Sequence, residues 1–279
     1  MKIKRMELAD GWYPKDRKQC EQRILHFIEE YNACEAGNWL GGIVPHAGWY
    51  YSGKLACQTI NLLKQTQPDA LVLFGGHLRK EDSITFYDYD LFETPFGNIH
   101  NHNILSKAVL NELSESIVED HSNDNSVEIV LPFIKYFFPD SPVVVFRSPP
   151  SYLATELGKT VAEKGKELGL ELLFLGSSDL THYGPNYRFT PKGIGEEAVK
   201  WVKEHNDREF IRLLQSMKGD LAINHSIEHL SACSGGAAVS CLTASQSYGQ
   251  KTSGEIVDYY TSYDIRKDSS FVGYLGMLF

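Results

Sequence analysis

No apolar run in this sequence approaches the length a membrane needs. The longest, such as residues 71–74 and 143–146, fall far short of the roughly 20 residues of a spanning helix. Basic clusters are absent too. The 27 basic and 36 acidic residues leave a net charge of −9, which argues against a nucleic-acid partner, whose footprint is a basic patch. Cysteines number five, an odd count with no CxxC pair, so a disulfide scaffold is excluded and a reduced, cytoplasmic protein is expected. Residues 1–10 hold two lysines and an arginine but no apolar stretch, so no secretory leader is expected. Repeats, low-complexity tracts and long linkers are missing as well. What is present is ordinary globular composition, 42% hydrophobic and 23% charged, which excludes a disordered or fibrous chain. With no visible boundary, the expectation is one domain over residues 1–279.

Short apolar runs alternate with helical stretches. Residues 40–44, 70–74, 143–146 and 171–175 read as strands, and 54–64, 103–113, 128–137 and 152–168 as helices. This alternation predicts an α/β fold with a mostly parallel, mixed central sheet flanked by helices. Further along, a helix over 236–246 precedes two β-rich runs, 254–263 and 271–279. Adjacent strands of that kind predict an antiparallel edge.

Chemistry-bearing residues follow three of the strands. Val44 runs into Pro45-His46-Ala47-Gly48, residues 71–74 into Gly75-Gly76-His77, and residues 172–175 into Gly176-Ser177-Ser178-Asp179-Leu180-Thr181-His182-Tyr183-Gly184. Ligands of open α/β sheets bind beyond the carboxyl ends of the strands. A lone histidine there usually serves a turn, but His46 and His77 together suit a transition metal. Asp179 reads equally as a helix N-cap or as a carboxylate orienting His182 three residues on. Cys233 lies in Ser231-Ala232-Cys233-Ser234-Gly235-Gly236, at the start of an apolar helix. There it is either an inert thiol or a thiolate stabilised by the helix dipole. Glu128, after Asn125-Ser126-Val127, fits a helix start or a carboxylate aimed into the site. Trp49, Tyr50 and Tyr51 fill the core or wall a pocket. Cys57 and Cys241 read as buried and inert, Cys20 and Cys34 as peripheral. The remaining seven histidines, His26, His100, His102, His121, His205, His225 and His229, read as solvated or structural.

The segment Val44-Pro45-His46-Ala47-Gly48-Trp49-Tyr50-Tyr51-Ser52-Gly53 resembles the PHAG(Y/W)xYxG motif of the Memo family, also called AmmeMemoRadiSam system protein B. The turn ending in His77, residues 125–132, residues 177–184 and the turn at Cys233 match in the same order. Two positions differ: Leu78 follows His77 where relatives often carry a second histidine, and Asn125 stands where they often carry one. The resemblance implies the fold of class III extradiol dioxygenases, non-haem iron enzymes with two histidines and a carboxylate on the metal. It implies His46 and His77 as metal ligands, Cys233 in place of the carboxylate, and His182 as the acid/base histidine, which Asp179 on the residue reading would orient as its catalytic partner.

Imidazole and thiolate together suit iron, copper or zinc. Three functions stay open on the sequence: a metal-binding Memo-like protein with redox chemistry, a metal-free binder of a peptide or small metabolite, and a metal-dependent hydrolase in which His182 activates water.

Overall fold

Four apolar runs too continuous for a half-exposed sheet form its centre. In a computed structural model describing residues 1–29, 37–64 and 67–279, Gly41–Val44, Leu172–Ser177, Ala70–Gly75 and Val143–Arg147 lie side by side and parallel, in that spatial order. Every residue of these strands is buried, as expected where helices cover both faces. Alternate side chains enter opposite cores. Val72 and Phe74 pack into one hydrophobic cluster, Leu71 and Leu73 into the other. Helices Tyr152–Glu167 and Gly235–Gly249 close the first face; Arg17–Glu29, Lys54–Leu63 and Leu131–Phe137 close the second.

The flanks are mixed. Phe271–Leu278 joins Gly41–Val44 antiparallel and pairs in turn with Glu255–Thr261 and His182–Tyr183, also antiparallel. On the far side, Ile84–Phe86 runs antiparallel to Val143–Arg147, and Ile117–Glu119 runs parallel to Ile84–Phe86. The fold is thus the α/β arrangement expected, with the antiparallel pair in place. Phe271–Leu278 is nevertheless buried along its whole length and lies inside the sheet rather than at its edge.

Several boundaries move for physical reasons. The stretch 128–137 is two elements, a turn at Asn125–Glu128 and a helix at Leu131–Phe137. Pro132 tolerates a first helical turn but not an interior. The run 254–263 stops at Thr261, whose hydroxyl and backbone form a capping box with Asp264 over the short turn Ser262–Ile265. Three helices, Glu196–Trp201, Asp207–Gln215 and Gly219–Glu228, occupy a region where the alternation gave no element. Cys20 is not peripheral but fully buried; with Ile24 and Phe27 it forms the inward face of Arg17–Glu29. Cys34 lies outside the described residues. Cys57 and Cys241 are buried, and burial pushes both thiols up to about 12, the inert state expected of them. Among the described residues no helix is long and apolar enough to cross a membrane.

Helices Tyr152–Glu167 and Gly235–Gly249 touch backbone to backbone. A Cβ on Gly158 would lie 2.5 Å from the Ser240 carbonyl oxygen, and neither backbone can yield without moving its helix. Gly158→Ala is expected to lower stability by about 1–3 kcal/mol, read as a reduced urea midpoint with an unchanged slope.

Candidate metal centre

Each strand end delivers one part of the site. After Gly41–Val44 the chain turns at Pro45 and buries His46 almost completely. The His46 backbone N–H donates to Asp179 Oδ1 at 2.7 Å, its Nδ1 meets Ser177 Oγ at 3.0 Å, and its Nε2 lies 3.1 Å from Cys233 Sγ. These contacts hold the ring in place, with Nε2 toward the thiol. After Ala70–Gly75 the chain must pass within contact of Ser234; a Cβ on Gly76 would come within 1.9 Å of its Oγ. His77 follows with φ 62°, a left-handed conformation that is uncommon and costly for a side chain of this size. Its N–H donates to Ser234 Oγ at 3.3 Å, and its Nδ1 lies 3.0 Å from Asp124 Oδ1. The rings of His46 and His77 stand edge to face with centroids 4.8 Å apart.

Cys233 comes from the opposite side of the sequence but the same end of the sheet. Its backbone N–H donates to the Asp179 carbonyl at 3.2 Å, just ahead of helix Gly235–Gly249. One ligand atom each from His46, His77 and Cys233 lie within 4.8 Å of one another. The family resemblance grouped these three, and the fold brings them together.

The loop after Leu172–Ser177 departs from expectation. No helix follows Asp179, so the N-cap reading fails; the chain continues into the short strand His182–Tyr183. Asp179 spends its Oδ1 on the His46 backbone, and its Oδ2 stands 3.8 Å from His182 Nε2. That is an ion-pair distance, not a hydrogen bond. Among the described residues His182 Nε2 is buried without a hydrogen-bond partner, and its ring lies 4.8 Å from that of Tyr187.

Three supporting residues, Asp124, Arg147 and Asp207, were not legible in advance, and Asn125 stood out only as a departure from the family pattern. Asp124 caps Asn125–Glu128 through Ser126 N–H while holding His77, and its other oxygen lies 3.1 Å from Arg147. Arg147 is buried and also bonds Asp120 Oδ2 at 2.7 Å and the Gly76 carbonyl at 2.8 Å. Asn125 Nδ2 donates to the His46 carbonyl at 3.0 Å, so this amide braces a ligand-bearing turn. Asp207, fully buried, accepts from Thr181 N–H at 3.1 Å, from the Thr181 hydroxyl and from the Tyr259 hydroxyl at 2.7 Å. It pins the loop between Asp179 and His182 from behind. Glu128 takes its structural reading: it accepts from Glu7 N–H, Leu8 N–H and the Tyr13 hydroxyl, away from the histidines. Trp49 is core, stacked on Phe133 at 4.2 Å; Tyr50 is exposed; Tyr51 lines the cleft.

The cleft itself has a volume of about 410 Å³, with His46, His77, Asp179 and His182 among its walls. Its electrostatics are coupled. Burial alone would raise the Cys233 thiol, but His46, His182 and His77 draw it well below its ordinary value. Burial would likewise discharge the imidazoles, yet all three are raised: His46 by Cys233 and Asp179, His77 chiefly by Asp124, His182 chiefly by Asp179. Hydrogen bonds from His77 and Ser126, with the charge of Arg147, keep Asp124 below the usual carboxylate range against its burial.

Asp207 behaves oppositely. Burial pushes it up to about 6, against the hydrogen bonds of Thr181 and Tyr259. A carboxyl raised in the folded state is protonated more readily there than in the unfolded chain, so it adds stability as pH falls through its folded value. The wild type should therefore gain on Asp207→Asn by about 2 kcal/mol between pH 7 and pH 4. Urea unfolding of both proteins across that range measures the difference.

Comparison with known proteins agrees with the residue pattern. A family model described as Memo-like protein matches residues 4–278. A MEMO1 family protein of Methanococcoides burtonii is 28% identical over 279 residues, covering 97% of each chain. Another, from Pyrococcus furiosus, is 28% identical over 290 residues, covering 99% of this chain and 98% of its own. Among solved structures, an uncharacterized Escherichia coli K12 protein, JW3007, superposes with a TM-score of 0.55 at 11% identity, over 85% of this chain and 98% of its own. That likeness concerns the fold alone. On the match across nearly its whole length, the chain belongs to the Memo-like protein family.

Proposed function

We propose that the cleft is a transition-metal site in which His46, His77 and Cys233 are the ligands, and His182 exchanges a proton with a bound small molecule. The observation that carries this is the convergence of three ligand atoms within 4.8 Å on side chains already oriented by other groups. His46 Nδ1 is held by Ser177 and His77 Nδ1 by Asp124, which leaves each Nε2 for an ion. Carboxylates and hydroxyls on the remote nitrogen are the usual support of a metal-bound imidazole. Two imidazoles and one thiolate fit iron, copper or zinc. Three protein ligands leave coordination room for a ligand in the cleft, the pattern of catalytic rather than structural sites.

A metal bound there would act as a Lewis acid toward an oxygen or nitrogen of the ligand. The chain's own contribution is positioning and proton handling. Asp179 fixes the His46 turn through the backbone and lies within ion-pair distance of His182. His182 Nε2, without a hydrogen-bond partner among the described residues, is the atom free to give or take a proton. Under this reading Cys233 stands where the resemblance to extradiol dioxygenases would put a carboxylate, so the ion it selects is softer.

The proposal is tested by alkylating Cys233 with iodoacetamide, with and without bound zinc, and reading the modified site by mass spectrometry. Zinc should slow labelling at Cys233 by about tenfold or more, and removal by chelator should restore it, because a metal-held thiolate is no longer a free nucleophile. Zinc retention should also weaken as pH falls, since both imidazoles and the thiol must lose protons to bind. Equal labelling with and without zinc would remove Cys233 from the ligand set.

A further inference from the structure

A second cleft, of about 470 Å³, opens between helices Tyr152–Glu167, Gly219–Glu228 and Gly235–Gly249. None of the residues lining it lines the metal cleft. Thr243 in its wall stands about 12 Å along Gly235–Gly249 from the Cys233 end, at 1.5 Å per residue.

The start of Gly219–Glu228 forms one side of this cleft. Helix Asp207–Gln215 ends in a Schellman turn, with Met217 left-handed at φ 55° and the Lys218 N–H on the Leu213 carbonyl at 2.9 Å. The next helix begins at once, and no side chain caps it. Among the described residues nothing accepts from the N–H groups of Gly219, Asp220 and Leu221, the orphan donors of a first turn. Such donors, with the helix dipole behind them, suit an anion.

Thr243 is the independent observation. It is 4% exposed, yet its hydroxyl makes no hydrogen bond among the described residues, whereas Ser240 on the same helix bonds the Ala154 carbonyl at 3.0 Å. A buried hydroxyl without a partner is costly. This one lines the cleft, its Oγ1 3.8 Å from where a Cβ on Gly219 would stand. Lys159 and Lys218 line the cleft as well. Lys218 adds to the hold that Arg212 chiefly has on Glu209, while Lys159 has no ion pair among the described residues. Asp220 is the one acidic residue of the lining; it offsets one lysine and leaves the cleft cationic. The Thr155 hydroxyl donates to its Oδ1 at 3.4 Å, and its Oδ2 is open. Beside a bound oxyanion, that oxygen needs a hydrogen to accept. Inorganic phosphate keeps a P–O–H near neutral pH, and sulfate has none.

We propose that this cleft binds inorganic phosphate. The N–H groups of Gly219, Asp220 and Leu221, the Thr243 hydroxyl and the Lys159 ammonium donate to its oxygens, and Asp220 accepts its hydrogen. The site does not depend on the reading given to the metal centre.

The test is amide-resolved NMR of the full chain, titrated near neutral pH with phosphate and separately with sulfate at constant ionic strength. The amides of Gly219, Asp220 and Leu221 should shift and saturate with phosphate, and sulfate should bind about tenfold more weakly, the scale of one charge-assisted hydrogen bond. In Asp220→Asn the preference should fall to within about twofold, because an amide can donate to either anion. Thr243→Val keeps the shape and should weaken phosphate binding by about tenfold. Its urea midpoint without phosphate should not fall, since the hydroxyl has no bond to lose. Lys159→Gln should weaken both anions alike. Amides that stay unmoved by phosphate overturn the inference. So do equal binding of sulfate by the wild type, a preference persisting in Asp220→Asn, and undiminished binding or a lowered urea midpoint in Thr243→Val.

Discussion

The contact between Cys233 and His46, 3.1 Å from Sγ to Nε2, constrains most of what surrounds it. A buried imidazole held against a half-buried thiol and a second imidazole is costly unless the remaining polar atoms are satisfied. The chain meets that condition from separate strand ends. Ser177 serves His46, Asp124 serves His77, and the Asp179 carbonyl takes the Cys233 backbone N–H. None of these partners is a neighbour in sequence, so the loops are fixed by the sheet that ends beneath them. Parallel strands are what make this feasible, because they point their carboxyl ends the same way.

A second layer of charge supports the first. Arg147 is buried between Asp120 and Asp124 and also bonds the Gly76 carbonyl. It therefore ties the turn that carries His77 to the carboxylate that orients it. Such a buried cation is tolerable only while both acids remain, since removing one partner strands the other charge. Asp207 plays the corresponding part behind His182 through Thr181, but among the described residues no lysine or arginine pairs with it, and burial raises its carboxyl against the charge of His182. His182 is the exception to this thorough pairing. Its Nε2 has no hydrogen-bond partner among the described residues, and the residue lines the cleft proposed to take a ligand.

Much of this architecture was legible in the sequence. Buried parallel strands announce themselves as unbroken apolar runs, and glycine with histidine directly after three of them marked His46, His77 and His182. Cys233 needed the family pattern, because one cysteine at a helix start looks the same whether inert or functional. Asp124 was hidden because its role as a cap, visible in Ser126 N–H, is how acidic residues ordinarily begin helical turns. Its link to His77 spans 47 residues and leaves no local trace. Asp179 has two partners where the spacing of three suggested one: its Oδ2 stands at ion-pair distance from His182, while its Oδ1 accepts from the backbone of His46, 133 residues away. Glu128 likewise looked able to face the site, but three donors from the N-terminal segment claim it. The helices between residues 196 and 228 escaped notice because short amphipathic segments without strands between them break the alternation on which the reading depended.

The central claim is that one sulfur and two imidazole nitrogens share an ion. X-ray absorption at the zinc edge of protein loaded with one equivalent of zinc tests it without any knowledge of the reaction. The account predicts a single sulfur scatterer near about 2.3 Å, with nitrogen or oxygen neighbours at about 2.0–2.1 Å. The sulfur should vanish in Cys233→Ser. A first shell of nitrogen and oxygen alone in the wild type would contradict the account.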